Sequence, residues 1–259
     1  MNTTDCDSWE EFCAAVRPRD RAPLDAIYRG HARCEWGLVA PSGRTAEMLR
    51  LRRAGQKVMG GPAERGQVAY FRRLATGLPG VDVTTLDEDN LEALARHHGL
   101  CTNLLDWTLS PYVAAFFAFT EALDLANDGR LNSGQLAKMP IYPVEDPVCI
   151  WRLGWQKDMG KKREFERFSG LAQINYWQKA QSGLFTRLTH PEYVNIAEYL
   201  AARGLQDRLH KFTIPGSETG KVLHDLETMN ITFATLFPDL TGAAKQANVG
   251  STWRRLSLP

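Results

Sequence analysis

The 259-residue sequence has few cysteines, no long apolar run and almost no net charge. Its five cysteines are odd in number and widely spaced, without a C-x-x-C motif, which argues against a disulfide framework and a structural zinc site. The most apolar run, residues 112–119, is far shorter than the roughly 20 residues that span a bilayer. The first residues also lack the basic start and apolar core of a secretory signal. These absences predict a cytoplasmic protein with no membrane segment.

The charge balance excludes a protein that coats nucleic acid by bulk electrostatic attraction. Lys and Arg number 31, Asp and Glu number 30, and the formal net charge is +1. Nine of the basic residues are Lys and the rest are Arg, whose planar guanidinium suits bidentate contact with phosphate or carboxylate. Contact with a polyanion would therefore depend on Arg-rich segments such as residues 44–57 and 157–167, although such segments are more often solvated helix faces.

The order of predicted elements favours a single α+β domain. No internal repeat and no linker rich in Pro, Ser or Gly divides the chain. Short β-rich runs predict strands at residues 24–29, 36–40, 148–153, 184–188 and 209–214. Helical spacing predicts a helix capped by Asp7 and others at residues 47–54, 64–74, 89–98, 112–125 and 191–202. Because strands and helices do not alternate regularly, a small mixed or antiparallel sheet surrounded by helices is favoured over a doubly wound sheet.

The first candidate site is Tyr28-Arg29-Gly30-His31, at the end of a predicted strand. An Arg where a strand meets a Gly turn can present its guanidinium to a phosphate or carboxylate, and Gly30 would let the backbone approach a ligand closely. The alternative is structural, with Arg29 tied to a buried carboxylate.

The second candidate site is the segment of residues 96–108, which closes one helix and leads to the next. Asp106 is flanked by Leu105 and Trp107, so poor solvation predicts that it either pairs with a cation or has a raised pKa. Arg29 is the expected partner.

Two further features of this region concern its helices. His97 and His98 end a predicted helix, where the dipole favours cations, so a packing role competes with a role of His97 as a base. Ser110 and Pro111 predict the N-cap and first residue of a buried, nearly all-round apolar helix.

Several motifs together resemble the FRG domain family. They are Tyr28-Arg29-Gly30, Trp36 with Pro41 and Arg44, H-x-G-L-x-T-x-L-L-D-W-T-x-S-P over residues 97–111, Gln181-x-Gly183-Leu184-Phe185, and Leu236-Phe237-Pro238-Asp239-Leu240. The chain departs from the family at His98, Cys101 and Asn103, where Tyr, Pro and Arg are usual. The resemblance implies an N-terminal helix over residues 1–19, an FRG domain over 20–247 and a C-terminal tail over 248–259.

A more distant resemblance is to mono-ADP-ribosyltransferases of the Arg-Ser-Glu class. It implies a split sheet of the ADP-ribosyltransferase type, NAD as a substrate and no metal. Arg29 would hold the NAD diphosphate, Thr108 and Ser110 would form the Ser/Thr turn of the nicotinamide pocket, and Trp107 or Tyr28 would stack on nicotinamide. The implied NAD-binding residues are Tyr28, Arg29, Gly30, His31, Trp107, Thr108, Ser110, Gly183 and Phe185.

The catalytic Glu of that class has no clear counterpart. Where those enzymes carry Glu-x-Glu, this chain has Gln181-Ser182-Gly183. Cleavage of the nicotinamide–ribose bond passes through an oxocarbenium-like state that a carboxylate stabilises. Asp106 is the expected substitute, either supplying the charge or orienting His97, with Glu192 and Glu198 as alternatives. The implied catalytic residues are Arg29, Asp106, His97 and Gln181.

The resemblance implies a toxin or effector that transfers ADP-ribose from NAD, in bacterial toxin–antitoxin or antiphage defence. Its acceptor would be a nucleic acid such as RNA, or a protein, and its protein partner an antitoxin or a chaperone. The competing expectation is a catalytically silent domain that binds a nucleotide or a partner, which the missing Glu favours. A nuclease centred on His97, His98 and Asp106 is disfavoured because no second acidic cluster for metals follows.

Overall fold

The computed structural model describes residues 1–17, 26–44, 62–79, 82–130, 141–156, 159, 164–169 and 176–256. Within these residues the fold is α+β, which confirms the class predicted from the sequence, and a single mixed sheet carries the helices. The seven strands of this sheet are β1 (Asn2–Asp5), β2 (Ala26–His31), β3 (Leu104–Thr108), β4 (Val148–Gly154), β5 (Phe165–Phe168), β6 (Gly183–Leu188) and β7 (Leu209–Ile214).

The helices flank this sheet on both faces. In the described residues they are α1 (Trp9–Val16), α2 (Pro62–Ala75), α3 (Glu88–His97), α4 (Pro111–Ala126), α5 (Tyr176–Ala180), α6 (Ile196–Ala202), α7 (Thr219–Thr228), α8 (Phe233–Leu236) and α9 (Leu240–Leu256). Short 3₁₀ helices lie at Pro41–Arg44, Val83–Thr85, Gln206–Arg208 and Gly216–Glu218. None of the helices described is both long and apolar enough to cross a bilayer.

The sheet is nearly split at its centre. Its strand order is β1-β7-β4-β2-β3-β6-β5, and β1 and β7 form its parallel pair. Strand β2 pairs with β4 along its whole length, but its ladder to β3 consists of Tyr28 opposite Thr108. Backbone groups of β2 and β3 beyond this pair therefore need other hydrogen-bond partners.

Helix α4 covers one face of the sheet beside this split. Ser110 caps the helix, its Oγ accepting the Val113 N–H at 3.3 Å, and Pro111 occupies the first turn. The helix lies so close to β2 that a Cβ on Gly30 would stand 2.0 Å from the Ala114 carbonyl oxygen. Gly30 is thus required for strand–helix packing, and the close approach to a ligand that the sequence suggested stays a prediction.

Two apolar clusters bury the two faces of the sheet. The first contains Tyr28 together with Phe116 and Phe119 of α4. The second contains Ile27 together with Trp107 on β3. Neighbouring residues of one strand point to opposite faces, so each cluster draws on alternate positions. Residues that do not join either cluster at the split are available for a site.

Some predicted elements differ from the structure. Residues 36–40 were predicted as a strand but contribute an isolated bridge from Val39 to Asn195. Ser8, rather than Asp7, caps α1, because its side chain accepts the Glu11 N–H. The predicted helix over residues 47–54 and most of the Arg-rich segments at 44–57 and 157–167 lie outside the described residues.

Other elements were not predicted at all. Strand β1 brings residues 2–5 into the sheet ahead of α1, so the N-terminal segment is more than a helix. Strands β3 and β5 also lacked a prediction, because β3 joins two helices and β5 lies at the end of a charge-rich run. Helix α9 continues to Leu256, through the expected start of the C-terminal tail at residue 248.

Candidate functional site

A pocket of about 610 Å³ lies beside the split between β2 and β3. The two strands contribute Tyr28, Arg29, Gly30, Asp106, Trp107 and Thr108 to its lining. Helix α4 contributes Ala114, Phe117, Thr120, Glu121 and Asp124. The remaining lining residues are Arg96, His97, Gly99, Gln181, Phe233, Phe237 and Lys245. The four residues expected to be catalytic, Arg29, His97, Asp106 and Gln181, thus surround one cavity.

Arg29 is anchored inside the split. Its Nη1 donates to the backbone carbonyl of Asp106 at 2.7 Å, which takes the place of a ladder hydrogen bond between β2 and β3. Its Nε donates to Nε2 of His31 at 3.0 Å. Burial lowers the pKa of Arg29 to about 10, so the guanidinium remains charged at neutral pH. The side chain is therefore a fixed positive charge at the pocket wall.

His31 supports Arg29 from behind rather than lining the pocket. Its side chain is buried, and burial, with Arg29 and Arg44 nearby, lowers the pKa of the imidazole to about 3. The ring is therefore neutral at physiological pH, and its Nε2 accepts the hydrogen bond from Arg29. A neutral acceptor holds the guanidinium without cancelling its charge.

Asp106 is paired mainly with Arg96, and the expected partner, Arg29, forms the longer of its two ion pairs. Its Oδ2 accepts from Arg96 Nη2 at 2.9 Å and Nε at 3.3 Å, whereas Arg29 Nη1 lies 3.9 Å away. The chain reverses direction at Gly99, which has a φ of 90°. This reversal brings Arg96, at the end of α3, next to Asp106 on β3. A contact across such a turn has no periodic signature in the sequence.

The poor solvation that the sequence predicted for Asp106 was wrong. Its side chain is 44% exposed, because Leu105 and Trp107 point to the opposite face of the strand and do not shield it from water. Sequence neighbours in a strand therefore give little information about the surroundings of the residue between them.

His97 is oriented by stacking. Its ring lies 4.2 Å from the Trp177 ring at an interplanar angle of 20°, and His98 meets both rings edge-on. Trp177 is itself fixed by a 2.8 Å hydrogen bond from Nε1 to Asp239. Burial, with His98 nearby, lowers the pKa of His97. These contacts, rather than Asp106, set the orientation of the imidazole.

Gln181 and Thr108 are joined at the pocket floor. The Thr108 hydroxyl donates to the Gln181 backbone carbonyl at 2.7 Å and accepts the Ser110 N–H at 3.1 Å. The Gln181 side-chain Nε2 donates to the Leu236 carbonyl at 3.1 Å. The Thr108 hydroxyl and this amide nitrogen are thus used within the protein, and they shape the pocket through these bonds.

Of the remaining residues expected to bind NAD, some line the pocket and others do not. Tyr28 and Trp107 both line the pocket, but the Trp107 indole is buried in the second apolar cluster and donates to Thr186 at 2.8 Å. Tyr28 is buried likewise, in the first apolar cluster. Four expected residues do not line the pocket, namely His31, Ser110, Gly183 and Phe185.

Sequence reasoning gave no role to several lining residues. Phe117, Glu121 and Asp124 form one stripe of α4 because residues three and four apart share a helix face. The signal was present, since two carboxylates interrupt an otherwise apolar helix. Phe233 and Lys245 were missed because they are distant in sequence from the other lining residues.

The pocket combines opposite charges with aromatic rings. Its cations are Arg29, Arg96 and Lys245, its carboxylates Asp106, Glu121 and Asp124, and Phe117, Phe233 and Phe237 supply rings. The volume is typical of small-molecule sites. A ligand with anionic and cationic parts and flat rings would match this lining.

An α+β protein with a small-molecule pocket at a split sheet is the class that these observations define. Comparison with known families adds that residues 25–127 match the model described as the FRG domain, which supports the FRG family indicated by the motifs. The matched stretch runs from β2 to the end of α4 and includes Arg29, His97, Asp106 and Glu121, but not Gln181. No curated protein and no solved structure matches the chain.

Proposed function

We propose that the protein is an NAD-dependent ADP-ribosyltransferase, acting as a toxin or effector in bacterial toxin–antitoxin or antiphage defence. The observation that supports this proposal most is the convergence of Arg29, His97, Asp106 and Gln181 on one pocket, although they come from three separate parts of the chain. Arg29 would hold the NAD diphosphate, because its guanidinium lines the pocket, is held in place by Asp106 and His31 and stays charged.

The other lining residues are given roles by the chemistry of NAD. The nicotinamide ring carries a positive charge in NAD, and such a ring stacks favourably on aromatic side chains. Tyr28 and Phe117 are aromatic residues that line the pocket. Asp106 and Gln181 would orient the ribose hydroxyls. The neutral His97 ring, stacked on Trp177, would then face the acceptor side of the pocket.

A catalytically silent nucleotide- or partner-binding domain is the second candidate. The observation that favours it is the state of the expected catalytic groups: Arg96 holds the Asp106 carboxylate and Leu236 holds the Gln181 amide. Side chains held in this way are compatible with ligand binding as well as with catalysis.

Labelled NAD and cell extract distinguish the two candidates. Incubation with the wild-type protein is expected to place ADP-ribose label on RNA or protein and to release nicotinamide, and Arg29→Gln is expected to abolish both. Arg33→Gln is the matched control, because Arg33 lies near Arg29 in sequence but pairs with Glu35 outside the pocket. Unchanged NAD in the presence of a wild-type protein that binds it would favour the silent domain.

A further inference from the structure

We propose that Glu121 on α4 is the catalytic carboxylate of this site and stabilises the positive charge that develops at ribose C1′ as nicotinamide leaves. This inference rests on the proposed function, and it replaces Asp106 in that role. It follows from the position of Glu121 in the pocket and from the way the other lining carboxylates are engaged.

Asp106 is poorly suited to stabilise a new cation. Its Oδ2 already accepts two hydrogen bonds from Arg96 and lies 3.9 Å from Arg29. A carboxylate so compensated gives little additional stabilisation to a transition state, since catalysis needs interactions that strengthen as the reaction proceeds. The alternatives Glu192 and Glu198 do not line the pocket.

The surroundings of Glu121 differ from those of Asp106. Within the part of the chain that the structure describes, no cation forms an ion pair with its carboxylate, which accepts a hydrogen bond from the Ala32 backbone N–H. Arg29 and Arg44 face it at longer range, and Asp124 lies one turn along its own helix. Glu121 thus lines the same pocket as Arg29, and both can contact one ligand, while no guanidinium or ammonium group in the described residues is paired directly with its carboxylate.

The position of Glu121 on α4 also allows the cationic nicotinamide end and the anionic diphosphate of the ligand to bind at separate places. Glu121 lies one turn after Phe117, so the carboxylate and the ring share one wall of the pocket. A nicotinamide ring against Phe117 would bring its ribose toward Glu121, while the diphosphate contacts Arg29. Burial raises the pKa of Glu121, as expected for a carboxylate that water solvates poorly.

The step requires no further reactant beyond NAD and an acceptor carrying an O–H or N–H group. The C1′–N bond breaks, its electron pair leaves with neutral nicotinamide, and C1′ becomes an oxocarbenium centre beside the Glu121 carboxylate. The acceptor oxygen or nitrogen then bonds to C1′ and loses its proton, which Glu121 can take. Water in the acceptor position gives free ADP-ribose by the same route.

The test is nicotinamide release from NAD by wild type, Glu121→Gln, Asp106→Asn and Glu192→Gln. Glu121→Gln is expected to lower kcat by about 100-fold or more, as for loss of an electrostatic catalytic group, while KM for NAD changes less than about threefold. Glu192→Gln removes a carboxylate that lies outside the pocket and is expected to keep the wild-type kcat. Melting temperatures check that each variant is folded, and Glu121→Asp, which keeps the charge, is expected to recover part of kcat.

The pH dependence gives a second readout. Nicotinamide release by wild type is expected to fall as Glu121 becomes protonated, at a pH above the ordinary range for Glu, and Glu121→Gln is expected to lack this acid limb. A wild-type kcat in Glu121→Gln, or a larger loss in Asp106→Asn, would overturn the assignment and leave the proposed function standing. An absence of nicotinamide release by the wild-type protein would overturn both.

Discussion

Arg29 illustrates how a single residue can serve the fold and a site at once. Its Nη1 closes the gap between β2 and β3 through the Asp106 carbonyl, and its Nε is held by His31. The sequence identified Arg29 as an anion-binding candidate because it stands beside a glycine at a strand end. The sequence did not reveal that a neutral His would be its support, because that contact depends on burial of residue 31.

His31 makes stability sensitive to acid. Its pKa is about 3 in the folded protein and near 6.5 when unfolded, so between these values the unfolded chain binds a proton that the folded chain does not. Stability contributed by the neutral ring is complete above about pH 6.5 and is lost as pH falls, by at most about 1.4 kcal/mol per pH unit. Denaturant unfolding of His31→Gln between pH 6.5 and 4 is expected to show a shallower pH slope than wild type. Parallel stability curves would contradict this account.

At the scale of elements, the contact between β2 and α4 positions the pocket. The helix itself was predictable, because Ser110 and Pro111 provide a start signal and the following residues are apolar on all sides. Its distance from β2 was not, since Gly30 can be needed for a ligand, a turn or a packing contact. The structure assigns Gly30 to packing, because a Cβ would overlap the Ala114 carbonyl.

Substitution of Gly30 by Ala is therefore expected to destabilise the protein by more than about 2 kcal/mol, because either β2 or α4 must move. Gly66→Ala is the matched control. Gly66 lies within α2, and a Cβ added there would meet no atom within 4 Å, so Ala is expected to stabilise by about 0.5–1 kcal/mol. Denaturant unfolding measures both. Equal effects of the two substitutions would show that the strand–helix approach is not what requires glycine.

The strands show what local patterns omit. Strands β4, β6 and β7 were predicted within about one residue at each end, because their β-rich runs stand out from their surroundings. Strand β3 was missed although its five residues carry the most specific motif. Its mixed sequence, with Asp106 between Leu105 and Trp107, shows strand alternation only once the two faces of the sheet are known.

At the scale of the whole molecule, the pocket depends on distant parts of the chain. Arg29, Asp106 and Gln181 were expected to share a site through family resemblance, and the structure brings them to one cavity. The opposite wall of the pocket comes from α4, α8 and α9. No single sequence motif predicted that these helices would line the pocket. Sequence patterns specify faces and caps, whereas the meeting of several faces depends on tertiary packing. For this reason Lys245 emerged from the fold alone.

The central claim is that this cavity binds NAD through Arg29, and equilibrium binding by calorimetry tests it most directly. The wild-type protein is expected to bind NAD, Arg29→Gln to bind it at least about tenfold more weakly, a loss of about 1.4 kcal/mol, and Arg33→Gln to bind it as wild type does. Failure of the wild-type protein to bind NAD, or equal affinity in Arg29→Gln, would contradict the account.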